Sequence, residues 1–342
     1  MKMGDVAKLA DVSTATVSRV LTKPSMVSKK TREKVLAAIE ELNYQPHVVA
    51  RQFRTRETKI IMVVVPDITS AFFAGVLRGI EHYAVKNNYQ VILADTENDP
   101  EREREYISLL YQKQVDGMIL LTARSNQHEL AHIAENYPVV LACEYMDGLN
   151  IPTVSIDNIS SARKAVQHLV DLGHSRVAHI TGPMDVILSR DRLRGFQQAL
   201  ISNDIEGNPL YIQEGDFTIK SGYNQMLKLI SLEAPPSAVF VFNDEMAIGA
   251  VNAIKESGLN VPEDIAVVGF DNIEMASIFT PHLTTIDQPK YEIGTKAMEL
   301  LLKLIRKETF SKKKYVLDNQ LIVRQSCGAK INSNNTLIKN KI

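Results

Sequence analysis

Cysteine is scarce in this sequence of 342 residues, which contains only Cys143 and Cys327. Two cysteines without a CxxC spacing form neither a disulfide framework nor a thiolate metal site, which is typical of a reducing compartment. Long hydrophobic runs are also missing, and no apolar stretch approaches the roughly 18 residues that suggest a membrane-spanning helix. The first residues lack the apolar segment of a secretory signal. We therefore expect a cytoplasmic protein that has no membrane partner.

Sequence motifs of the common enzyme classes are absent as well. The chain has no GxGxxG after a strand pattern, no phosphate loop ending in GKS or GKT, and no GxSxG elbow. One motif favours an enzyme, a literal HExxH at 128–132, whose spacing places two imidazoles on one helix face around zinc. The metzincin continuation would need glycine at 135 and histidine at 138, where Glu135 and Pro138 stand. We interpret the match as a coincidence on a surface helix, and we expect no enzyme activity, no cofactor and no metal site.

Charge is distributed unevenly along the chain. The net charge is only −1, yet residues 1–58 hold 11 Lys and Arg against 6 Asp and Glu, and the remainder holds 28 against 34. A basic head on an acidic body indicates a region that binds a polyanion. A solvated basic face without a partner would give the same count. The order of apolar and polar residues within 1–58 is needed to distinguish a polyanion-binding region from a solvated basic face.

The apolar spacing of residues 1–44 predicts three short helices around a small core. Ser13 is a good N-cap for a second helix over residues 14–21. A third helix over residues 31–42 carries one apolar stripe, which consists of Val35, Leu36, Ile39 and Leu42. This arrangement is typical of a helix-turn-helix unit, in which the second helix lays polar side chains in the DNA major groove.

From Lys59 onward, short β-branched runs such as IIMVVVP alternate with helical stretches, which predicts an α/β body with mainly parallel strands. The tripeptide LRG occurs at 77–79 and at 193–195, which suggests two similar lobes. Ligands in such sheets bind beyond the carboxyl ends of the strands. Polar residues that suit a neutral, hydroxyl-rich ligand stand at these predicted strand ends: Glu144, Arg192, Asn243, Asp244, Asp271 and Gln288.

Several strings resemble the lactose-repressor (LacI/GalR) family of bacterial transcription regulators. In the head they are DVAKLADVSTATVSRVL, VSKKTREKV and ELNYQP. In the body they are PTVSIDN, LGHSRVAHITGP, RLRGFQQAL, PSAVFVFNDEMAIGA, VPEDIAVVGFDN and PHLTTIDQP, in the family's order. The resemblance covers residues 3–326, and the strings PDITSAFFAGVLRGIE, GDFT and QPKYEIG are most similar to the cytidine-responsive type of repressor.

The resemblance implies a fold with four parts: a small all-α helix-turn-helix head at 1–44, a hinge at 45–58, a two-lobed periplasmic-binding-protein-like body at 59–326, and a polar tail at 327–342. The body would bind an effector and dimerise, and the chain would cross between its lobes near residues 160, 288 and 320. The tail contains no leucine heptad, so we expect no tetramerising coiled coil.

The resemblance also assigns the base-reading positions of the second helix to Thr14 and Ala15, with Arg19 directed to the same groove. Short side chains favour methyl contacts with thymine, whereas Arg19 can donate two hydrogen bonds to guanine. Ser13, Ser28 and Thr31 are interpreted as phosphate contacts and helix caps. The complete expected DNA-binding set is Ser13, Thr14, Ala15, Thr16, Ser18, Arg19, Ser28, Thr31 and Phe53.

Phe53 departs from the family pattern, in which a leucine of the hinge wedges into the minor groove. The hinge contains no glycine, and Pro46 interrupts it. A phenylalanine can still open a base step. The alternative is that Phe53 packs against the hinge of a partner subunit.

In the body, the resemblance matches Arg192, Asn243, Asp271 and Gln288 to the family's effector contacts. Phe72, Phe73 and Phe217 also stand where nucleoside-responding members of the family stack a base. For Phe73, packing in the core is an equal alternative. Asp244 is interpreted as a helix cap. The expected effector-binding set is Phe72, Phe73, Glu144, Arg192, Phe217, Asn243, Asp271 and Gln288.

These observations predict a homodimeric repressor that binds double-stranded operator DNA under the control of a small-molecule effector. The predicted effector is a nucleoside, and a sugar is the alternative. A hypothesis from a different class is a small-molecule-binding or metabolising α/β protein that carries a basic head. A specific DNA footprint would separate the two classes.

Overall fold

The computed structural model describes residues 1–44, 57–124, 127–309 and 312–329. The chain divides into two compact units, Met1–Thr58 and Lys59–Ile342. Most of the expected hinge, including Phe53, lies outside the described residues. The alternatives for Phe53 therefore stay predictions.

The described residues of the first unit contain three α-helices: α1 (Met3–Leu9), α2 (Thr14–Thr22) and α3 (Lys29–Glu41). Ser13 starts α2 as predicted, because its hydroxyl accepts a hydrogen bond from the Thr16 backbone N at 3.1 Å. The predicted apolar stripe of α3 is wrong at Leu36, which is 49% exposed. The buried face of α3 is centred on Val35 and Ala38, and the helical turn of about 3.6 residues carries Leu36 past its edge.

Two six-stranded sheets form the second unit. The first sheet has the order β11-β5-β4-β3-β1-β2 and is parallel throughout. The second has the order β12-β10-β9-β8-β6-β7 and is parallel except for β12. The strands are β1 (Ile60–Val65), β2 (Gln90–Asp95), β3 (Gly117–Leu120), β4 (Val139–Ala142), β5 (Thr153–Ile156), β6 (Val177–Thr181), β7 (Ile212–Glu214), β8 (Ala238–Val241), β9 (Ala266–Asp271), β10 (Thr284–Asp287), β11 (Lys314–Leu317) and β12 (Gln320–Ile322).

Helices alternate with these strands, which confirms the predicted α/β class. The helices are α4 (Ala71–Lys86), α5 (Pro100–Tyr111), α6 (Gln127–Asn136), α7 (Asn158–Asp171), α8 (Ile187–Ser202), α9 (Ile219–Ile230), α10 (Asp244–Glu256) and α11 (Lys290–Ile305). Lobe 1 contains the first sheet with α4, α5, α6 and α11, and lobe 2 contains the second sheet with α7 to α10. The chain crosses between the lobes after β5, after β10 and between β11 and β12, close to the three expected positions.

The repeated LRG tripeptide marks equivalent helix contacts in the two lobes. A Cβ atom on Gly79 in α4 would lie 2.1 Å from the carbonyl oxygen of Tyr291 in α11. A Cβ atom on Gly195 in α8 would lie 2.2 Å from the carbonyl oxygen of Ile159 in α7. Glycine is needed at both positions because the helix backbones approach within contact distance.

Candidate functional site

A cavity of about 230 Å³ opens between the two lobes of the second unit. Its walls are built from loops at the carboxyl ends of strands and from the first turns of the helices that follow them. All eight residues of the expected effector-binding set line it: Phe72, Phe73, Glu144, Arg192, Phe217, Asn243, Asp271 and Gln288. The fold therefore brings the predicted set together, and its role in binding stays a prediction.

Two phenylalanines of α4 form the aromatic part of the lobe 1 wall. The rings of Phe72 and Phe73 lie 5.1 Å apart at 73°, an edge-to-face pair. Phe72 belongs to the hydrophobic core of the body, and Phe73 packs against that core while it lines the cavity. Phe73 therefore packs against the core and lines the cavity at the same time, so the two alternatives do not exclude each other.

A buried ion pair forms another part of the lobe 1 wall. Glu144 follows β4, and both of its carboxylate oxygens lie 3.3 Å from Nη1 of Arg124, which donates to them. Burial raises the pKa of the Glu144 carboxyl above its ordinary value, and Arg124 opposes this rise. The pair places one carboxylate and one guanidinium side by side at the cavity.

Arg192 is the buried cation of lobe 2. It lies within α8 rather than at a strand end, so the predicted placement is wrong. The helix that follows β6 brings this side chain to the wall of the cavity. Its Nε donates to Oδ1 of Asn158 at 3.0 Å and its Nη1 donates to the carbonyl oxygen of Phe242 at 2.5 Å. The guanidinium lies 3.6 Å from the ring centre of Phe270. Burial lowers the pKa of Arg192 to about 10, which still leaves it charged at neutral pH.

Asp271 presents a carboxylate at the end of β9. Its φ of 110° lies in a region that L side chains rarely adopt, and such strain often marks a functional position. Gln288 Nε2 donates to Asp271 Oδ1 at 2.7 Å, and Lys290 Nζ donates to the Asp271 carbonyl oxygen at 2.5 Å. Burial raises the pKa of Asp271 to about 6, against the opposing effects of Arg192 and Gln288.

The cap of α10 is Asn243, so the interpretation of Asp244 as the cap is wrong. Asn243 has an extended backbone, and its Oδ1 accepts from the backbone N of Met246 at 2.8 Å. Asp244 is already the first helical residue and is fully buried. Its carboxylate accepts from Thr285 Oγ1 at 2.7 Å and from Ile273 N at 2.9 Å. Burial and the neighbouring charge of Asp271 raise the pKa of Asp244 to about 8.

Asn243 also contacts the loop of lobe 2 that carries Phe217. Its Nδ2 donates to the carbonyl oxygen of Phe217 at 3.1 Å. Phe217 has a positive φ of 76°, and its ring lies 5.0 Å from the ring of Phe242. One amide therefore caps α10 and holds the loop that carries an aromatic ring of the cavity.

The sequence analysis missed several side chains that line the cavity: Asp67, Ser70, Asn98, Thr122, Arg124, Asp216, Phe242 and Glu245. Thr122, Arg124 and Phe242 follow β3 and β8 within four residues. Because ligands in such sheets bind beyond the carboxyl ends of the strands, a search after every predicted strand would have found these three residues. Glu245 also follows β8 within four residues, but it lies on α10 rather than in the loop at the strand end.

The polar face of α2 forms a shallow surface in the first unit. Thr14, Ala15, Ser18 and Arg19 line it together, whereas Val17 on the same helix is buried. Two expected contact pairs are engaged in helix capping. Ser13 Oγ accepts from the backbone N of Thr16 at 3.1 Å, and Ser28 Oγ accepts from the backbone N of Thr31 at 3.3 Å. Ser13 and Ser28 are therefore caps, whereas Thr31 is the capped residue and not a cap. The phosphate contacts stay predictions.

The HExxH string lies on α6, where His128 and His132 are exposed. Glu129, the central acid of the motif, pairs with Arg104 Nε at 3.4 Å. Within the described ranges, no group of three His, Cys, Asp or Glu side chains could hold a metal ion. In that same part of the chain, no helix is long and apolar enough to cross a membrane.

Comparison with known proteins places the chain in a family. The family described as bacterial regulatory proteins, lacI family, matches residues 2–47, and the periplasmic binding protein-like domain matches residues 166–327. The HTH-type transcriptional repressor CytR of Escherichia coli strain K12 is 42% identical over 328 residues, which is 96% of each chain. The HTH-type transcriptional repressor PurR of Aliivibrio salmonicida is 36% identical over 324 residues, 94% of this chain and 97% of that one.

Solved structures agree with this assignment. The crystal structure of the Lac repressor dimer bound to operator and the anti-inducer ONPF superposes with a TM-score of 0.88 at 32% identity, covering 96% of this chain and 99% of that one. The complex of the transcriptional regulator CelR with cellobiose gives a TM-score of 0.73 at 32% identity, with 95% and 99% covered. These matches confirm the predicted helix-turn-helix head and two-lobed body. The chain therefore belongs to the lacI family of bacterial regulatory proteins, and it is a DNA-binding transcriptional repressor rather than an enzyme.

Proposed function

We propose that this repressor is a homodimer that binds operator DNA through α2 and that a nucleoside in the interlobe cavity controls its operator affinity. The observation that carries the proposal is the convergence of aromatic rings, two guanidinium groups and several carboxylates on one cavity between two lobes. Related proteins support it: the Lac repressor structure holds a dimer, an operator and an anti-inducer, and the CelR structure holds cellobiose. Because operator DNA is the partner, the protein would act in the cytoplasm.

The aromatic lining favours a planar group in the ligand. Phe72 and Phe73 come from lobe 1, and Phe217 and Phe242 come from lobe 2. Rings on both sides can cover a nucleobase in offset or edge-to-face contacts. The volume of about 230 Å³ is below the roughly 300–1,000 Å³ of sites for drug-sized ligands, which suits a small metabolite.

The charges of the lining favour a ligand without a phosphate group. Five acidic residues line the cavity against two basic ones: Asp67, Glu144, Asp216, Glu245 and Asp271 against Arg124 and Arg192. An anionic ligand would be repelled by this excess of negative charge. The hydroxyl groups of a ribose would instead donate to Asp271 and accept from Arg192.

A sugar is the second candidate, and the bound cellobiose of the CelR structure favours it. A sugar would use the same carboxylates and guanidinium groups. It would gain less from the four aromatic rings, because a hexose presents no planar face of the size of a base. The nucleoside therefore accounts for more of the lining than the sugar does.

Control of DNA binding requires that the ligand binds two lobe arrangements unequally, because equal binding shifts no equilibrium. The origin of the lining residues in both lobes supports this condition. A ligand that contacts Phe72 in lobe 1 and Asp271 in lobe 2 would stabilise one interlobe geometry. The dimer would pass this preference to two heads on a pseudo-palindromic operator.

Calorimetry with the full-length chain tests the proposal. We expect cytidine or adenosine to bind below millimolar concentration, glucose to bind at least about tenfold more weakly, and Asp271→Asn to abolish nucleoside binding. Asp204→Asn is the matched control, because Asp204 is exposed at the end of α8 and does not line the cavity. Failure of both nucleosides at millimolar concentration while glucose binds would reject the nucleoside. Unchanged binding in Asp271→Asn would reject the site.

A further inference from the structure

Glu245 joins the two lobes at the cavity. It is the second residue of α10 in lobe 2, and it is partly buried. Its Oε1 accepts a hydrogen bond from the backbone N of Ala71 at 3.1 Å and one from Ser70 Oγ at 3.3 Å, both in lobe 1. A single carboxylate therefore bridges the cleft at the start of α4.

This carboxylate supplies a cap that α4 does not supply for itself. Ser70 occupies the N-cap position of α4, but its side chain accepts no capping hydrogen bond from the helix, and the first turn contains no acidic residue. Three of the four helices of lobe 2 differ, because α7 is capped by its own Asp157, α9 by Thr218 and α10 by Asn243, whereas α8 has no side-chain cap. The unpaired N–H groups at a helix start carry partial positive charge, which a carboxylate stabilises.

The capped turn is the one that carries the aromatic wall. Phe72 and Phe73 directly follow Ala71, and both line the cavity. Fixing the Ala71 N–H from lobe 2 therefore fixes the backbone from which both rings project. A second hydrogen bond across the cleft runs from the hydroxyl of Tyr145 to Asp191 Oδ2 at 2.9 Å.

We propose that Glu245 is a positioning residue for the ligand site, which caps α4 across the cleft and thereby holds the two rings in place and favours the closed lobes. The proposal rests on the proposed function for its consequence on ligand affinity. Its structural part, the cap across the cleft, does not depend on any ligand. Because apparent affinity scales with the fraction of the protein in the binding-competent state, loss of the cap lowers the apparent affinity for the ligand.

Hydrogen exchange of the ligand-free, full-length protein tests the cap. In Glu245→Ala, amide exchange in the first turn of α4 should rise on the order of fivefold, the size of effect expected from losing a helix cap. Exchange in the first turn of α7, which Asp157 caps, should not change. Glu263→Gln is the control, since Glu263 is exposed in lobe 2 and does not line the cavity.

A purely local role of Glu245 in lobe 2 would give a different result. Exchange would then rise in α10, which contains Glu245, while α4 in lobe 1 kept its wild-type rate. That outcome would overturn the proposed cap.

Cytidine titration of the same variants tests the consequence for binding. We expect Glu245→Ala to bind cytidine several-fold more weakly than both the wild type and Glu263→Gln. Wild-type affinity in Glu245→Ala, together with faster exchange in α4, would overturn the positioning role. A wild-type protein that does not bind cytidine would count against the proposed nucleoside function, and the exchange in α4 would still decide whether Glu245 caps that helix.

Discussion

Nη2 of Arg192 lies 3.9 Å from Oδ1 of Asp271 in the wall of the interlobe cavity, and both side chains are buried. Removing one partner of a buried pair leaves an uncompensated charge, which costs about 3–5 kcal/mol. Arg192→Ala would also leave the acceptors on Asn158 and Phe242 without their donor. Asp271→Asn is the milder change, because an amide oxygen can still accept from Gln288.

Arg19 and Lys29 should affect DNA binding in different ways. Both are exposed in the first unit, and Arg19 lies on the polar face of α2. Arg19→Ala should cost about 1–3 kcal/mol on the specific operator and relax the preference at one base pair. Lys29→Ala should weaken all duplexes alike and reduce the salt dependence. Titration with operator and random duplexes at several salt concentrations measures both effects. If Arg19→Ala lost the same affinity for both duplexes, this would contradict the reading of bases by Arg19.

Gly79→Ala should destabilise the body, because the new methyl group would lie 2.1 Å from the Tyr291 carbonyl oxygen of α11. Overpacking of this kind costs about 1–3 kcal/mol or more. Gly207→Ala is the control, since no atom lies within 4 Å of its added Cβ, and we expect a change within about 0.5 kcal/mol. Urea unfolding measures both variants, and equal midpoints would contradict the close contact of α4 and α11.

Asp244 should make stability fall as pH rises. Its pKa is raised to about 8 in the folded protein from about 3.9 in an unfolded chain, so between these values only the folded state keeps the proton. Its contribution is complete below pH of about 4 and is lost as pH approaches 8. Asp244→Asn resembles the protonated acid and removes this titration. Urea unfolding at pH 5 to 8 should show the wild type losing up to about 1.4 kcal/mol per pH unit relative to the variant. Parallel pH profiles would contradict the raised pKa.

The HExxH string on α6 should have no role in metal binding. We expect purified protein to contain no stoichiometric zinc and to cleave no peptide, and His128→Ala to bind operator as the wild type does. Metal analysis provides the measurement. One tightly held zinc per chain that is lost in His128→Ala would reverse this interpretation.

Local patterns predicted the parts of the fold that depend on local order. Ser13 starts α2 as expected, and the alternating strand and helix patterns predicted the α/β body. Predictions that depend on the exact position of one residue in a helix were wrong. Leu36 lies one residue beyond the buried face of α3, and the cap of α10 is Asn243 rather than the next residue, Asp244. Such differences follow from the backbone angles at a single position.

Contacts between the lobes could not be predicted from the sequence. Glu245 and Ala71 are 174 residues apart, and nothing near either residue indicates the other. Arg192 was predicted as a site residue twice, as a strand-end residue and through the resemblance of RLRGF, but its place inside α8 agrees only with the second prediction. Packing of one lobe against the other brings Glu245 to Ala71, whereas contacts within lobe 2 hold Arg192.

The most direct test of effector-controlled repression is the operator affinity of the full-length protein, measured by fluorescence anisotropy with and without saturating cytidine. We expect cytidine to change the operator Kd of the wild type by at least about fivefold, the lower end of typical allosteric coupling. We expect Asp271→Asn to bind the operator normally without ligand and not to respond to cytidine. A wild-type operator Kd that stays constant with saturating cytidine, or an Asp271→Asn response equal to that of the wild type, would contradict effector-controlled repression.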